Sequence, residues 1–524
     1  MSRPVSQHHR ALLSVADKTG LVPLAEGLLN LSFELVSTGG TAGTLRDAGL
    51  PVTNVADITG FPEIISGRVK TLHPAIHAGL LARAGIDDDV LAEHGIGWID
   101  LLVVNLYPFE TIIARSDCTV EKAIENIDVG GPAMLRAAAK NHARVTVLVD
   151  PNDYERVLDA FRAGEPSSDL KASLAITAFR HTAQYDAAIS RYLEEQYGSS
   201  DRFPDPLVLA WRQVTTLRYG ENPHQAAAFY RNPGESSGTI VSAQLLQGKP
   251  LSFNNVADGD AALRCVQAFQ DSACVIVKHT NPCGIAIAPS PLEAYRAAYS
   301  TDPTSAFGGI VAFNRPLDGA TAAAIIDQQF VEVIIAPRVE PEARQNLAKK
   351  KNTRVLEVGA LPEDAGESRY GWNLRSVDGG LLLQDRDRGN LDSVQLKIVT
   401  TRKPSDAELT DMRFAWTVVK YVKSNAVVYA RDGKTLGIGA GQMSRVMSSR
   451  VAAMKSADEG LALNGAAMAS DAFLPFRDGI DIAAEHGITA VIQPGGSVRD
   501  DEVIAAANEH GMAMVLTGMR HFRH

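Results

Sequence analysis

Short apolar runs that stop abruptly at polar or glycine-rich turns, each followed by a helical pattern, recur through the first two hundred residues. They constrain the fold more than any other feature. Residues 11–15, 33–37, 99–104 and 145–149 read as buried strands, and helical patterns fill the intervals before occupying 152–163 and 170–196. Such alternation implies a parallel sheet covered by helices on both faces, with the polar strand ends on one rim. At 524 residues the chain is too long for one core, and length alone suggests three or four units. The stretch 198–206, rich in Gly, Ser, Asp and Pro, predicts a boundary that divides the chain into 1–199 and 200–524.

A formal charge of −10 argues against a general nucleic-acid surface, so an anionic ligand must be held by local cations and backbone N–H groups. Cys118, Cys265, Cys274 and Cys283 have no metal-ligand spacing and fit a reducing compartment. The first residues lack the apolar core of a signal peptide, and no run of about 18 apolar residues occurs. The expectation is a cytoplasmic protein without a membrane partner.

Three clusters in the first part carry chemistry. The run Thr38-Gly39-Gly40-Thr41-Ala42-Gly43 follows a strand and opens a helix, an arrangement that suits a phosphate; a tight helix-initiating turn is the alternative. In Gly67-Arg68-Val69-Lys70-Thr71-Leu72-His73-Pro74, Pro74 favours extended backbone at His73, and alternation predicts Arg68 and Lys70 on one side of the chain. Asn105-Leu106-Tyr107-Pro108-Phe109 ends a strand, and Asp128 precedes Gly130, Gly131 and Pro132 at a helix start, where it also suits an N-cap.

In the second part, Val275-Ile276-Val277-Lys278-His279 leads a strand into Thr280-Asn281-Pro282-Cys283-Gly284, which reads as a turn. Lys278 can meet developing negative charge and His279 can take a proton near neutral pH; a solvated lysine and a satisfied histidine are the bland alternative. Further polar clusters lie at 217–225, 251–258, 302–309, 422–428, 470–478 and 493–497. Residues 341–367 read as helices and exposed loops. Gly437-Ile438-Gly439-Ala440-Gly441 imitates a dinucleotide fingerprint, but Gln442 stands at the third glycine position and no nicotinamide or flavin is assigned. The strand-then-turn pattern at 275–277 returns at 427–429, which suggests a pair of similar α/β units. A terminus reading Arg520-His521-Phe522-Arg523-His524 suggests a docked tail, against the alternative of an exposed one.

Taken in order, S-V-A-D-K-T-G, S-T-G-G-T, G-R-V-K-T-L-H-P, N-L-Y-P-F, D-V-G-G-P-A-M-L-R-A-A-A-K-N, L-R-Y-G-E-N-P-H-Q, V-K-H-T-N-P-C-G, S-A-F-G-G, K-S-N-A and G-I-G-A-G-Q-M-S-R make the chain resemble a known family along essentially its whole length. That family joins phosphoribosylaminoimidazolecarboxamide (AICAR) formyltransferase to inosine monophosphate (IMP) cyclohydrolase. The resemblance implies a methylglyoxal-synthase-like cyclohydrolase domain, then a transferase of two cytidine-deaminase-like subdomains, in a homodimer. It implies 10-formyltetrahydrofolate as co-substrate, AICAR, FAICAR and IMP as nucleotides, and a monovalent cation as an open question. The zinc signature of deaminases is not met, since His279-Thr280-Asn281 has no Glu and Ala286 stands where a second Cys is needed, so no catalytic metal is expected.

For the cyclohydrolase, the resemblance implies Lys18, Ser37, Thr38, Gly39, Gly40 and Arg68 around a phosphate. It implies Lys70, Tyr107, Asp128 and Lys140 around the reacting atoms, with Ser14, Thr71, Asn105, Gly130 and Gly131 as further contacts. For the transferase it implies His279 as base, Lys278 as electrostatic partner, and Arg218, Tyr219, Asn255, Phe307, Gly308, Asn425 and Arg445 as nucleotide contacts. Phe473, Phe522 and His524 are further components, and Glu332 is an acidic contact on the folate side. Two rival readings differ in what they predict. A Schiff-base enzyme built on Lys278 is trapped by borohydride, and a nucleotide-sensing module binds IMP without consuming AICAR.

Overall fold

The structure, a computed structural model, describes residues 9–198, 202–233, 237–361 and 371–524. Residues 199–201 of the expected linker and 362–367 of the charged stretch lie outside the described residues. The chain forms two compact units, Met1–Arg212 with Asn232–Gly234, and Gln213–Arg231 with Glu235–His524. No helix among the described residues is long and apolar enough to cross a membrane.

The first unit is built on a five-stranded sheet in the order Thr53–Asn54, Phe33–Ser37, His9–Val15, Leu101–Asn105, Thr146–Leu148, with every pair parallel. Leu12, Leu13, Val36, Leu102 and Val103 are fully buried in it, which is why these strands read as continuous apolar runs. Each such leucine contributes about 2 kcal/mol of burial. Helices Leu21–Asn30, Gly130–Lys140 and Ser168–Tyr197 pack on the sheet, the last capped by Ser167, whose hydroxyl accepts from the Leu170 N–H. Register pairs Leu13 with Ser37 and Val15 with Asn105, so the C-terminal strand ends share one rim as expected.

The second unit holds a mixed twelve-stranded sheet. Its order is Lys397–Ile398, Ala513–Leu516, Ala490–Gln493, Ala467–Ser470, Val427–Arg431, Lys434–Gly439, Asn281–Ile287, Ala273–Lys278, Gly309–Phe313, Val331–Ala336, Arg354–Glu357, Gln244–Gln247. The antiparallel contact of Asn281–Ile287 with Lys434–Gly439 divides this sheet into two halves with one plan. Outward from that seam, each half has a hairpin, then a strand antiparallel to it, two more strands parallel to that one, and an antiparallel edge. Each hairpin follows a helix opened by a serine capping box, Ser252 with Asn255 before Phe253–Val266 and Ser405 with Glu408 before Asp406–Val419. The repeat suggested by the sequence is therefore structural.

Two expectations of local structure need correction. Asn281-Pro282-Cys283-Gly284 is not a turn but the start of a strand; the chain reverses at His279 and Thr280, both left-handed, with φ of 52° and 60°. Pro282 is accommodated because the register slips between Pro282 and Gly284. Residues 354–357 form a strand rather than helix or loop, held at the sheet by pairing on both sides despite a weak local pattern. Gly437 and Gly439 serve close packing: a Cβ at either would collide with the carbonyls of Ala452 and Ser448 on helix Arg445–Asp458.

Candidate active sites

In the first unit, the sheet rim brings most of the expected residues together. Helix Gly39–Asp47 starts immediately after strand Phe33–Ser37, and no side chain caps its first turn, leaving the N–H groups of Gly39 and Gly40 for an anion. Lys18 reaches back to this turn. Its Nζ donates to the Val15 carbonyl and, at 3.1 Å, to Thr41 Oγ1, and burial lowers its pKa. Ser37 is fully buried and donates to the Leu13 carbonyl at 2.7 Å, while Ser14 is half-buried in the adjacent strand. Asn105 locks the Ala16–Asp17 loop, its Oδ1 accepting from both N–H groups at 2.6 and 2.8 Å.

Arg68 and Lys70 do not share a side. Residues 64–69 close on themselves through a bridge between Ile64 and Val69, and Gly67 has a φ of 83°. The turn sends Arg68 out to Glu125, whose carboxylate raises its pKa, and sends Lys70 in to Glu63 at 3.4 Å. A Cβ on Gly39 would lie 3.2 Å from Lys70 Nζ, so this amine stands over the glycine-rich turn. Glu63 also accepts from Thr38 Oγ1 at 2.5 Å. One carboxylate thus bridges two groups expected to face substrate.

Asp128 makes the helix cap that its position allowed. Its Oδ1 caps the next helix by accepting from the Gly131 N–H at 2.8 Å, and its own N–H donates to Tyr185 Oη at 2.8 Å. Burial raises its pKa, against the Gly131 hydrogen bond. Gly130 lies so close to buried Thr71 that a Cβ would sit 2.7 Å from the threonine hydroxyl. Tyr107 is half-exposed and lines a cavity with Asn105, Asp17, His181 and Tyr185. Lys140 stands apart, since it ends helix Gly130–Lys140, about 15 Å along the axis from the Asp128 end.

In the second unit, Lys278 and His279 stand at the end of strand Ala273–Lys278, as the sequence suggested. Lys278 Nζ donates to the Phe307 carbonyl at 2.5 Å, and His279 is exposed. Gly308, with a φ of 70°, leaves the space that this amine occupies; a Cβ there would lie 3.1 Å from Nζ. Asn281 ties the turn to the next loop, its Nδ2 donating to the His279 carbonyl at 3.3 Å and its Oδ1 accepting from the Lys423 N–H at 3.0 Å. That loop carries Asn425, whose Nδ2 donates to the Gln442 carbonyl at 2.9 Å.

Arg445 follows, its guanidinium 3.3 Å from the fully buried Asp471 carboxylate and over the Phe522 ring, with burial lowering its pKa. The C-terminal tail is docked. The His521 N–H donates to the Asp471 carbonyl, and the Ser424 N–H donates to the Arg523 carbonyl at 2.8 Å. Phe522 and His524 meet edge to face, and Phe473 is partly exposed. Four expected contacts are engaged elsewhere or by one another. Asn255 completes the Ser252 capping box, Glu332 pairs with Arg354 at 2.8 Å, and Arg218 lies over the ring of its neighbour Tyr219.

Known proteins share this organisation. The family model described as "AICARFT/IMPCHase bienzyme" matches residues 138–455, and one described as "MGS-like domain" matches residues 20–133. The "Bifunctional purine biosynthesis protein PurH" of Xanthomonas campestris pv. campestris (strain 8004) is 58% identical over 98% of this chain and 98% of its own. The chain belongs to the AICARFT/IMPCHase bienzyme family. Its counterpart of the same description in Xylella fastidiosa (strain M12) is 57% identical, again over 98% of each chain. A solved structure, "Crystal structure of ForH", is 41% identical over 35% of this chain and 98% of its own, with a TM-score of 0.32. Like the family, the chain is an enzyme with two activities, AICAR formyltransferase and IMP cyclohydrolase, the last two steps of purine biosynthesis. It passes a formyl group from a folate co-substrate to AICAR and closes the product to IMP.

Four residues at these sites escaped sequence reasoning as participants: Glu63, Tyr185, Asn281 and Asp471. Each acts across a sequence separation that no local pattern reports. Two left a trace: Asp471 in the polar run that ends strand Ala467–Ser470, and Asn281 in the stretch after Lys278-His279.

Proposed function

We propose that residues 1–199 carry the cyclohydrolase and 200–524 the formyltransferase, with Lys278 and His279 at the centre of the latter. The observation that carries this reading is the Lys278 amine held 2.5 Å from the Phe307 carbonyl beside an exposed His279. In the transfer, the AICAR 5-amino nitrogen bonds to the formyl carbon as the bond from that carbon to the folate nitrogen breaks. His279 takes the amine proton, and Lys278 stabilises the oxyanion and protonates the leaving nitrogen. Arg445, Asn425, Phe307, Gly308, Arg218, Tyr219 and Asn255 serve the nucleotide, with Phe473, Phe522 and His524 beside them and Glu332 toward the folate.

Ring closure is intramolecular, so proximity is already supplied and the protein's task is to select the reactive rotamer and stabilise charge. Asp128 accepts one carboxamide proton as the carboxamide nitrogen bonds to the formyl carbon, and Lys70 and Tyr107 polarise the formyl oxygen; that oxygen departs as water with this proton and the one the formamido nitrogen gives up as the ring double bond forms. The raised Asp128 pKa supports a base, while the distance of Lys140 along its helix argues against its joining Asp128 within one chain. Lys18, the Gly39 and Gly40 amides, Ser37, Thr38 and Arg68 hold the phosphate.

The enzyme is further proposed to be a cytoplasmic homodimer. Its four free cysteines fit a reducing compartment, and the exposed Phe307, Phe473 and Phe522 rings fit sites completed by a second chain. A monovalent cation is proposed without assigned ligands, and no step is routed through it. The test supplies AICAR and 10-formyltetrahydrofolate and follows IMP, alongside Lys70→Ala and Lys278→Ala assayed on each half-reaction. Each variant should lose one activity and keep the other; loss of both by both overturns the two-site reading.

A further inference from the structure

The turn that presents His279 holds Thr280 in backbone unsuited to a β-branched residue. Left-handed backbone at a β-branched residue such as Thr280 costs on the order of 1–3 kcal/mol and persists only where neighbours enforce it. Across the seam, the corresponding turn is Asp432-Gly433, with φ of 54° and 68°, and glycine takes that conformation freely. The difference lies in the tether. Asp258, the sixth residue of helix Phe253–Val266, accepts from the Thr280 N–H at 2.7 Å. Asp411, the sixth residue of helix Asp406–Val419, meets the Gly433 N–H only at 3.5 Å. The repeat thus keeps a carboxylate under both turns but draws it tight only beneath the strained one.

We infer that Asp258 is a positioning residue for formyl transfer, holding the His279-Thr280 turn so that the histidine meets the attacking amine. It acts through His279 and touches no substrate, and the inference rests on His279 serving the transfer. Burial raises the Asp258 pKa, while the Thr280 N–H and the neighbouring His279 and Lys278 charges oppose that rise. A half-buried carboxylate with three such partners is tied to this turn and not to bulk solvent.

The fold supplies its own control. Asp258→Ala should lower the transfer kcat by roughly tenfold or more while the AICAR KM changes less than about threefold and cyclohydrolase stays normal. Asp258→Asn, which still accepts from Thr280, should recover most of that loss. Asp411→Ala removes the equivalent tether beneath a turn remote from Lys278, and transfer should stay within about twofold. Full kcat in Asp258→Ala, or equal losses in both alanine variants, overturns the inference. His279→Ala separates the failures: if it retains transfer, the reading of the site is wrong, and if it is inactive while Asp258→Ala is not, only the tether is wrong. Should Asp258→Ala lose both activities by misfolding, adding Thr280→Gly relieves the turn; cyclohydrolase should return with transfer still low, and full return of transfer overturns the inference.

Discussion

Ser424 donates its hydroxyl to the buried carboxylate of Asp471 at 2.5 Å, and the Arg523 N–H donates back to that hydroxyl at 3.1 Å. The C-terminus is therefore fastened to the loop that carries Asn425, with Asp471 also holding Arg445. Removing one partner of a buried ion pair leaves the other charged and unpaired. Asp471→Ala should cost about 3 kcal/mol in urea unfolding. Deleting residues 521–524 should depress transfer severalfold while cyclohydrolase is unchanged, both read by separate half-reaction assays.

Gly308→Ala tests the packing around Lys278. A φ of 70° strains alanine by about 1–2 kcal/mol, and its Cβ would lie 3.1 Å from the Lys278 amine. The amine must shift from the Phe307 carbonyl, and transfer should fall by roughly tenfold or more with a small loss of thermal stability. Unchanged transfer would mean that the Lys278 position is not set by this contact.

The sequence disclosed strands far better than turns, for a physical reason. Buried runs such as Leu101–Asn105 and Ala273–Lys278 announce themselves through composition, because both faces of each strand meet apolar neighbours. The reversal at His279-Thr280 did not, since its conformation is imposed by a carboxylate some twenty residues away, while Asn-Pro next door offered a false local signal. Arg354–Glu357 was lost likewise, to pairing that supplies what local propensity lacks. Among site residues, Lys278 and the Gly39-Gly40 turn were legible because each sits where a strand gives out. Glu63 was invisible, since its partners Thr38 and Lys70 meet it only after Gly67 turns the chain.

Glu63 leads to a prediction for the first site. Its carboxylate accepts from Thr38 and pairs with Lys70, two groups also suited to an anionic nucleotide. Glu63→Gln removes the competing charge, so the cyclohydrolase KM for FAICAR and the inhibition constant for inorganic phosphate should both fall severalfold. A raised KM would instead make Glu63 a support for Lys70.

Glu408 predicts acid sensitivity of the second unit. The Arg402 hydrogen bonds, followed by those from Ser405 and Thr489, lower its pKa from 4.5 to about 2. Because the folded value lies below the unfolded one, the stabilisation is complete above about pH 4.5 and is lost as pH falls toward 2. After allowance for solvent screening it amounts to about 2 kcal/mol. Glu408→Gln should be less stable at pH 7 and show a shallower decline in unfolding free energy below pH 4.5.

Asp128 sets the expected pH profile of ring closure. A base must be ionised to accept the carboxamide proton, and burial raises this carboxyl above the ordinary range even though the Gly131 N–H stabilises its anion. Cyclohydrolase kcat/KM should therefore fall on the acid side at a higher pH than an exposed carboxylate would give, with a single-proton slope. Asp128→Asn preserves the cap to Gly131 but cannot accept the proton, so it should abolish that limb and lower the plateau by roughly a hundredfold or more. Tyr185→Phe discriminates position from proton transfer. It withdraws the hydroxyl that accepts from the Asp128 N–H while leaving the carboxylate intact, so the plateau should drop and the limb should persist. An acid limb that survives in Asp128→Asn would assign the proton to another group.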